Sequence, residues 1–182
     1  MLIRKATLAD LPAITDIYNE AILTTNATFD NEPKTAVQQE PWFRGHDSRH
    51  PILVAENESG VIAWASLSEW STRCAYSDTA ELSIYVKEQF RSRGTGKRLM
   101  AEIMAAGEEC SLHTVISRIT EGNLASIHLH ELFGFENIGV MREVGYKFDR
   151  LLDVRLMQKI YPRRSDNRGP ATSAGQSLER GG

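Results

Sequence analysis

The sequence predicts a single mixed α/β domain, and three observations predict it. Apolar residues recur with two periods, every second position around residues 79–86 and every third or fourth around 11–21 and 99–104. The strand-like and helix-like segments follow one another as βα(α)βββαβαββ, the interleaving of a mixed sheet covered by helices. A glycine-rich turn, Arg91-Ser92-Arg93-Gly94-Thr95-Gly96, joins a strand-like run to a helix-like one. With 182 residues, 41% hydrophobic and 25% charged, the chain is long enough for one real core and has a globular composition.

Taken in order, Leu2 to Ala6 reads as a first strand. Thr7-Leu8-Ala9-Asp10 is a variant of the capping box, with a carboxylate three residues after a threonine. Leu11, Ile14, Ile17, Tyr18 and Ala21 then share one helical face. A polar loop through Thr28-Phe29-Asp30 follows. Residues 35–44 read as a second short helix broken at Pro41, because proline lacks the N–H that an inner turn uses. Ile52 to Glu56 and Val61 to Leu67 are strands around the turn Asn57-Glu58-Ser59-Gly60. The next strand alternates: Ala80, Leu82, Ile84 and Val86 face one way, Thr79, Glu81, Ser83 and Tyr85 the other. Leu99, Met100, Ile103 and Met104 stripe a helix that starts near Lys97 and ends near Glu109. Residues 115–120 make another strand. Asn123 opens a helix carrying Ile127, Leu129 and Leu132, which Gly134 ends. Two last strands are expected near 136–144 and 153–160.

Composition excludes several classes. A net charge of −3 leaves no basic footprint for nucleic acid. No apolar run approaches the roughly 20 residues of a membrane span. Met1-Leu2-Ile3-Arg4-Lys5 lacks the apolar core of a signal peptide. Cys74 and Cys110 stand alone, without metal-ligand spacing. A reduced, cytoplasmic protein without a metal is the expectation. The last twenty residues hold four arginines against Asp166 and Glu179 and have no apolar period. The folded domain is therefore expected over 1–162, with 163–182 a disordered tail.

The glycine turn carries the first chemistry. A strand-to-helix turn rich in glycine presents backbone N–H groups at a helix N-terminus, where the dipole favours an anion such as a phosphate or pyrophosphate. Arg91, Arg93 and Lys97 add positive charge. The turn fails as a Walker A loop, because Arg91 and Arg98 occupy its first-glycine and Ser/Thr positions. It fails as a dinucleotide fingerprint, because Leu99 stands where the third glycine belongs. What remains is R-x-x-G-x-G after a strand.

Glu81 lies on the less apolar face of the strand that leads into this turn. A glutamate there is either a solvated or ion-paired surface residue or a proton acceptor. An α-amino group has a pKa near ~8, so an acceptor amine must lose a proton before it can attack, and a nearby carboxylate can take it. Asn123, Ser126 and His130 share one side of the later helix at spacings of three and four. Asn123 equally reads as a plain helix cap. His128 and His130 point about 200° apart and do not form a metal pair.

The R-x-x-G-x-G loop and the later Asn123, Ser126, Gly134 and Phe135, in the register N-x-x-S-x-x-x-H-x-x-x-G-F, resemble the GNAT acyltransferases. His130 holds a position that is usually tyrosine. Thr28-Phe29-Asp30, Trp64-Ala65-Ser66-Leu67-Ser68, Arg73-Cys74-Ala75-Tyr76, Thr79 to Val86 and Val144 to Arg150 resemble the phosphinothricin and methionine sulfoximine N-acetyltransferase branch. Leu151 departs from the tryptophan frequent there.

The resemblance implies a GNAT-type, mostly antiparallel central sheet flanked by helices, with acetyl-CoA as co-substrate. Arg91, Ser92, Arg93, Gly94, Thr95, Gly96 and Lys97 would hold its pyrophosphate. Ile84, Tyr85 and Val86 would pair with the pantetheine arm, and an N–H near Val86 would stabilise the oxyanion. Asn123 and Ser126 would touch the arm, Glu81 would be the base, and His130 would give a proton to the leaving thiolate. Phe29, Arg73 and Tyr76 would form the acceptor pocket, with Arg73 suited to an α-carboxylate. The acceptor would be a small amine or amino-acid analogue, the assembly a homodimer, and Lys147 a residue reaching in from the partner subunit. Two other readings stay open at this point: a non-catalytic acyl-CoA-binding module, and an enzyme acting on peptide or protein amines.

Overall fold

The computed structural model describes residues 1–162; the tail at 163–182 lies outside the described residues. Seven strands form one sheet: β1 (Leu2–Lys5), β2 (Ile52–Asn57), β3 (Gly60–Glu69), β4 (Thr79–Val86), β5 (Thr114–Thr120), β6 (Glu136–Lys147) and β7 (Arg150–Ile160). Four α-helices accompany them: α1 (Leu11–Thr24), α2 (Ala36–Arg44), α3 (Thr95–Glu109) and α4 (Leu124–Leu132). The strand order is β1-β2-β3-β4-β5-β7-β6. Every neighbouring pair is antiparallel except β4 and β5, which run parallel with α3 as their crossover.

The period-two pattern of β4 sorts the two faces of the sheet. Ala80 and Leu82 enter the larger core with Leu99, Met100 and Ile103 of α3 and Ile127 of α4, and Ile84 and Val86 pack against it. Tyr85 points the other way, onto Trp64, Ile14 and Ile17, with Trp42 of α2 beside them. So α3 and α4 cover one face and α1 and α2 the other. The first helix is fixed to the sheet edge by charge. Asp10 accepts from the Thr7 N–H at 2.8 Å and from Arg4 at 2.7 and 2.9 Å, and Arg4 also reaches Glu56 on β2 at 2.6 Å. The Arg4 guanidinium holds the Asp10 carboxyl down at about 2.

Two expectations change. α2 runs through Pro41 instead of breaking there. Thr35 caps its start by accepting from the Gln38 N–H at 3.2 Å. The carbonyl that Pro41 leaves without an intrahelical partner belongs to Val37, which is 78% exposed, so water can satisfy it. The last two strands are also longer than their patterns suggest and meet in a two-residue turn, Phe148-Asp149, between the paired Lys147 and Arg150. Both turn residues are left-handed, with φ of 50° and 58°, as the hairpin's twist requires.

The feature that creates a site is a gap in the pairing. β4 and β5 pair only from Thr79 to Glu81 against Thr114 to Ile116. β3 follows β4 as far as Val86, and β7 follows β5 to Thr120. Beyond Glu81 the two central strands part, and a cleft opens in the middle of the sheet.

Candidate active site

A cavity of ≈ 1180 Å³ follows this parting, from Glu81 along β4 to Val86, past the Arg91–Lys97 turn, and back along β5 and the start of α4. At one end Gly94 is the N-cap of α3, left-handed at φ 80°, with open space where a Cβ would stand. Ser92 is left-handed too, at φ 56°. Left-handed residues alternating with others turn successive N–H groups toward one point and make an anion-binding nest. No side chain caps α3, so its first-turn N–H groups are not taken up by a cap. Arg91, Ser92, Gly94, Gly96 and Lys97 line the cavity; Arg93 is exposed and Thr95 buried, and neither lines it. Arg91 is partly a strut: its Nε donates to the Val86 carbonyl at 2.9 Å, and its guanidinium meets Glu20 at 3.1 Å. Donors, dipole and Lys97 together fit a pyrophosphate.

Ile84, Tyr85 and Val86 line the middle of the cavity. Their strand has lost β5 as a neighbour here, and the exposed backbone edge suits an extended, amide-bearing chain such as a pantetheine arm. Asn123 caps α4, its Oδ1 accepting from the Ser126 N–H at 3.2 Å, and both side chains line the cavity.

His130 also lines the cavity but is only 2% exposed. Its Nδ1 lies 2.7 Å from the Ser126 carbonyl. A carbonyl only accepts, so Nδ1 carries the proton. Burial pushes the imidazole pKa down, which the carbonyl bond only partly offsets. A neutral ring protonated at Nδ1 has a bare Nε2, an acceptor. This geometry runs against the expected role of proton donor to a thiolate.

At the other end Glu81 is clamped. Arg118 on β5 gives it two parallel hydrogen bonds, Nε to Oε1 at 2.6 Å and a second N–H to Oε2 at 2.7 Å. The Glu81 side chain is 19% exposed and that of Arg118 54%. Bonding to Glu81 raises the guanidinium pKa further. The guanidinium also lies over the Trp70 ring at 6.0 Å. Sequence reading missed Arg118. Its signal was an outward residue on the strand beside Glu81, visible only once the parallel register of β4 and β5 is known.

The expected acceptor residues divide. Phe29 lines the cavity. It sits against Gly145, where a Cβ would overlap the Phe29 ring carbons, so glycine is required at that point. Gly145 follows a bulge in β6 that moves the pairing from Met141↔Val154 to Gly145↔Leu152 and sends Val144 into the cavity wall. Gly145 is a second residue whose role the sequence did not reveal. Arg73 and Tyr76 belong to an exposed turn between β3 and β4 and line neither cavity described here. The arginine that faces the cavity beside Glu81 is Arg118. Lys147, expected to reach in from a partner subunit, is buried in its own chain and donates to the Thr28 carbonyl at 2.8 Å. A second cavity of ≈ 510 Å³, walled by Trp42 and Trp64, shares Tyr18, Asp30, Ser83 and Tyr85 with the first. Among the described residues no His, Cys, Asp and Glu cluster could hold a metal.

Comparison with known proteins agrees with this geometry. A family profile described as an acetyltransferase (GNAT) domain matches residues 3–156. The L-methionine sulfoximine/L-methionine sulfone acetyltransferase of Pseudomonas aeruginosa is 38% identical over 169 residues, covering 90% of this chain and 96% of that protein. The structure of yncA from Salmonella typhimurium with its cofactor acetyl-CoA superposes with a TM-score of 0.86 at 32% identity, over 94% of this chain and 98% of that one. A structure named ribosomal-protein-alanine N-acetyltransferase, from Brucella melitensis, superposes with a TM-score of 0.85 at 39% identity, over 88% of this chain and 100% of that one. With the matched profile, the parted central strands and the nest at Gly94 in agreement, the chain belongs to the GNAT family of acetyl-CoA-dependent N-acetyltransferases.

Proposed function

We propose that this enzyme moves the acetyl group of acetyl-CoA to the primary amine of a small amino-acid-like acceptor, of the methionine sulfoximine, methionine sulfone or phosphinothricin type. The observation that carries the reading is the position of Glu81. It is the last β4 residue paired to β5, faces the cavity, and stands beside the backbone edge that would hold the acyl arm. The acceptor ammonium must shed a proton to attack, and Glu81 takes it directly or through a water. Backbone N–H groups near Val86 polarise the acetyl carbonyl. The Arg91–Lys97 turn holds the pyrophosphate, and Asn123 and Ser126 steady the arm. His130, neutral and tied to Ser126, shapes the wall. Attack is direct: Cys74 is exposed in the β3–β4 turn and Cys110 is bonded to the Ser48 carbonyl, and neither lines the large cavity. Arg73 and Tyr76, on their exposed turn, would meet the acceptor at the rim of the site.

The β6–β7 hairpin exposes Val144, Tyr146, Phe148 and Leu151, an apolar group that suits a homodimer contact. Two unpaired cysteines fit a reducing cytoplasm. One alternative acceptor has support, the N-terminal amine of a protein, from the name of the Brucella structure. Thiol release from acetyl-CoA, measured against methionine sulfoximine, methionine sulfone, phosphinothricin, standard amino acids, polyamines and peptides, tests the choice. Saturable release with the amino-acid analogues is the expected result. Release with peptides alone would transfer the assignment to protein amines.

A further inference from the structure

We infer that Arg118 is the docking group for the acceptor's α-carboxylate, and that its pairing with Glu81 is the substrate-free state of a two-charge clamp for a zwitterion. The inference rests on the amino-acid reading of the acceptor.

Elimination supports it first. The arginines and lysines lining the large cavity are Arg91, Lys97 and Arg118. Arg91 is held by the Val86 carbonyl and Glu20, and Lys97 lies in the phosphate turn, so of these three Arg118 alone stands beside Glu81, while Arg73 lies outside the cavity on its exposed turn. The chemistry matches next. Glu81 and Arg118 present a carboxylate and a guanidinium side by side, the charge complement of an α-amino acid. Its ammonium would replace Arg118 at Glu81, and its carboxylate would replace Glu81 at Arg118, so each protein charge keeps a partner. A guanidinium fork takes a carboxylate in the two-pronged manner already made with Glu81.

The pair is also built to open. An ion pair with one side chain more than half exposed contributes little to stability, so exchanging partners costs little. Trp70 lies under the guanidinium at 6.0 Å and offers it a resting surface independent of Glu81. The exchange serves the reaction too. While Arg118 holds both Glu81 oxygens, the guanidinium stands where the ammonium would have to meet them. Once the acceptor's own carboxylate draws Arg118 away, Glu81 faces the ammonium it must deprotonate. Only an acceptor bearing a carboxylate next to its amine frees the base in this way.

The test compares two acceptors differing in that one group, methionine sulfone and its primary carboxamide, with wild type, Arg118→Gln and Arg118→Lys at saturating acetyl-CoA. The readout is the ratio of kcat/KM for acid over amide. Arg118→Gln should lower the ratio by about 10- to 100-fold, the worth of a charge-assisted bond. Arg118→Lys, which keeps the charge without the fork, should lower it less. If Arg118 only positioned Glu81, both acceptors would lose activity together, their pH profiles would move in parallel, and the ratio would hold; a constant ratio in both variants overturns the inference. Failure of the underlying reading is a separate result: wild type would then release no thiol with any amino-acid acceptor while responding to peptides, and both proposals would fall.

Discussion

The two ends of the cleft are built from different materials. The end proposed for the phosphates is made of backbone. Gly94 and Ser92 turn N–H groups inward, α3 adds its dipole, and every contributing residue lies within a few positions of the next. The end proposed for the acceptor is made of side chains from separate strands and loops. Glu81 and Arg118 come from strands 37 residues apart, and Phe29 finds its place against Gly145. A backbone site is written in a short run of sequence, because glycine spacing is itself the geometry. A side-chain site depends on register, which no short run contains.

That contrast predicts where mutations hurt most. Removing the carboxylate at the acceptor end should have the largest effect. Glu81→Gln keeps the shape and loses the proton acceptor, so kcat should fall by about 10²- to 10⁴-fold while acetyl-CoA affinity holds. Full activity across the pH range in a rate profile would remove Glu81 as the base. Arg118 would lose the one carboxylate partner it has among the described residues, yet it is half exposed, so folding should be little affected.

The same contrast explains how much could be read in advance. Strand and helix order followed from the periods, because β4 and α3 keep clean alternation and a clean stripe down to their buried residues. The glycine turn at the start of α3 was legible for the reason just given. Arg118 was not, since its partner is fixed by the pairing of Glu81 with Ile116. The β6–β7 hairpin was under-read because Phe148-Asp149 lacks the glycine that usually marks a left-handed turn. The break expected at Pro41 rests on its missing N–H, and α2 continues because the residue whose carbonyl loses that donor, Val37, is exposed to water. Arg73 was placed in the acceptor pocket by the resemblance, and its position on an exposed turn outside both cavities depends on tertiary packing that the sequence does not display.

The next effect in size tests the packing of the acceptor end. Gly145→Ala would place a methyl inside the Phe29 ring, so the ring must move out of the cavity wall. Overpacking of this kind costs about 1–3 kcal/mol. Thermal unfolding should shift by that amount, and KM for the acceptor should rise more than KM for acetyl-CoA. Equal changes in both would mean that Phe29 does not border the acceptor.

A matched pair at the phosphate end should give smaller, separable effects. Gly94→Ala meets no neighbour but must keep φ at 80°, a cost of about 1–2 kcal/mol for a residue with a Cβ. Relaxing that strain would reorient the nest and weaken acetyl-CoA binding several-fold in calorimetry. Gly96→Ala has no such strain, and its Cβ would meet Leu129 and Val86 at 3.6 and 3.7 Å, ordinary contacts. Its stability should stay within about 0.5 kcal/mol of wild type. If both variants bind alike, conformation at Gly94 is not what forms the anion site.

The smallest effect is a slope. His130 is buried, and its folded-state pKa is pushed below the ordinary 6.5 by desolvation. The unfolded chain therefore takes up a proton near pH 6.5 that the folded protein refuses until lower pH. Between those two values the unfolded state binds more protons, so stability falls as pH falls, by up to about 1.4 kcal/mol per unit for one group. Above pH 6.5 the group contributes no slope. His46, half-buried and bonded to the Trp42 carbonyl and Ser68, is shifted the same way and adds to the wild-type slope. His130→Gln removes one of the two groups. Its unfolding free energy in urea, measured between pH 7.5 and 5.5, should decline less steeply than that of wild type. A slope identical to wild type would mean that the folded protein takes up a proton at His130 as readily as the unfolded chain does, and would overturn the downward shift assigned to burial.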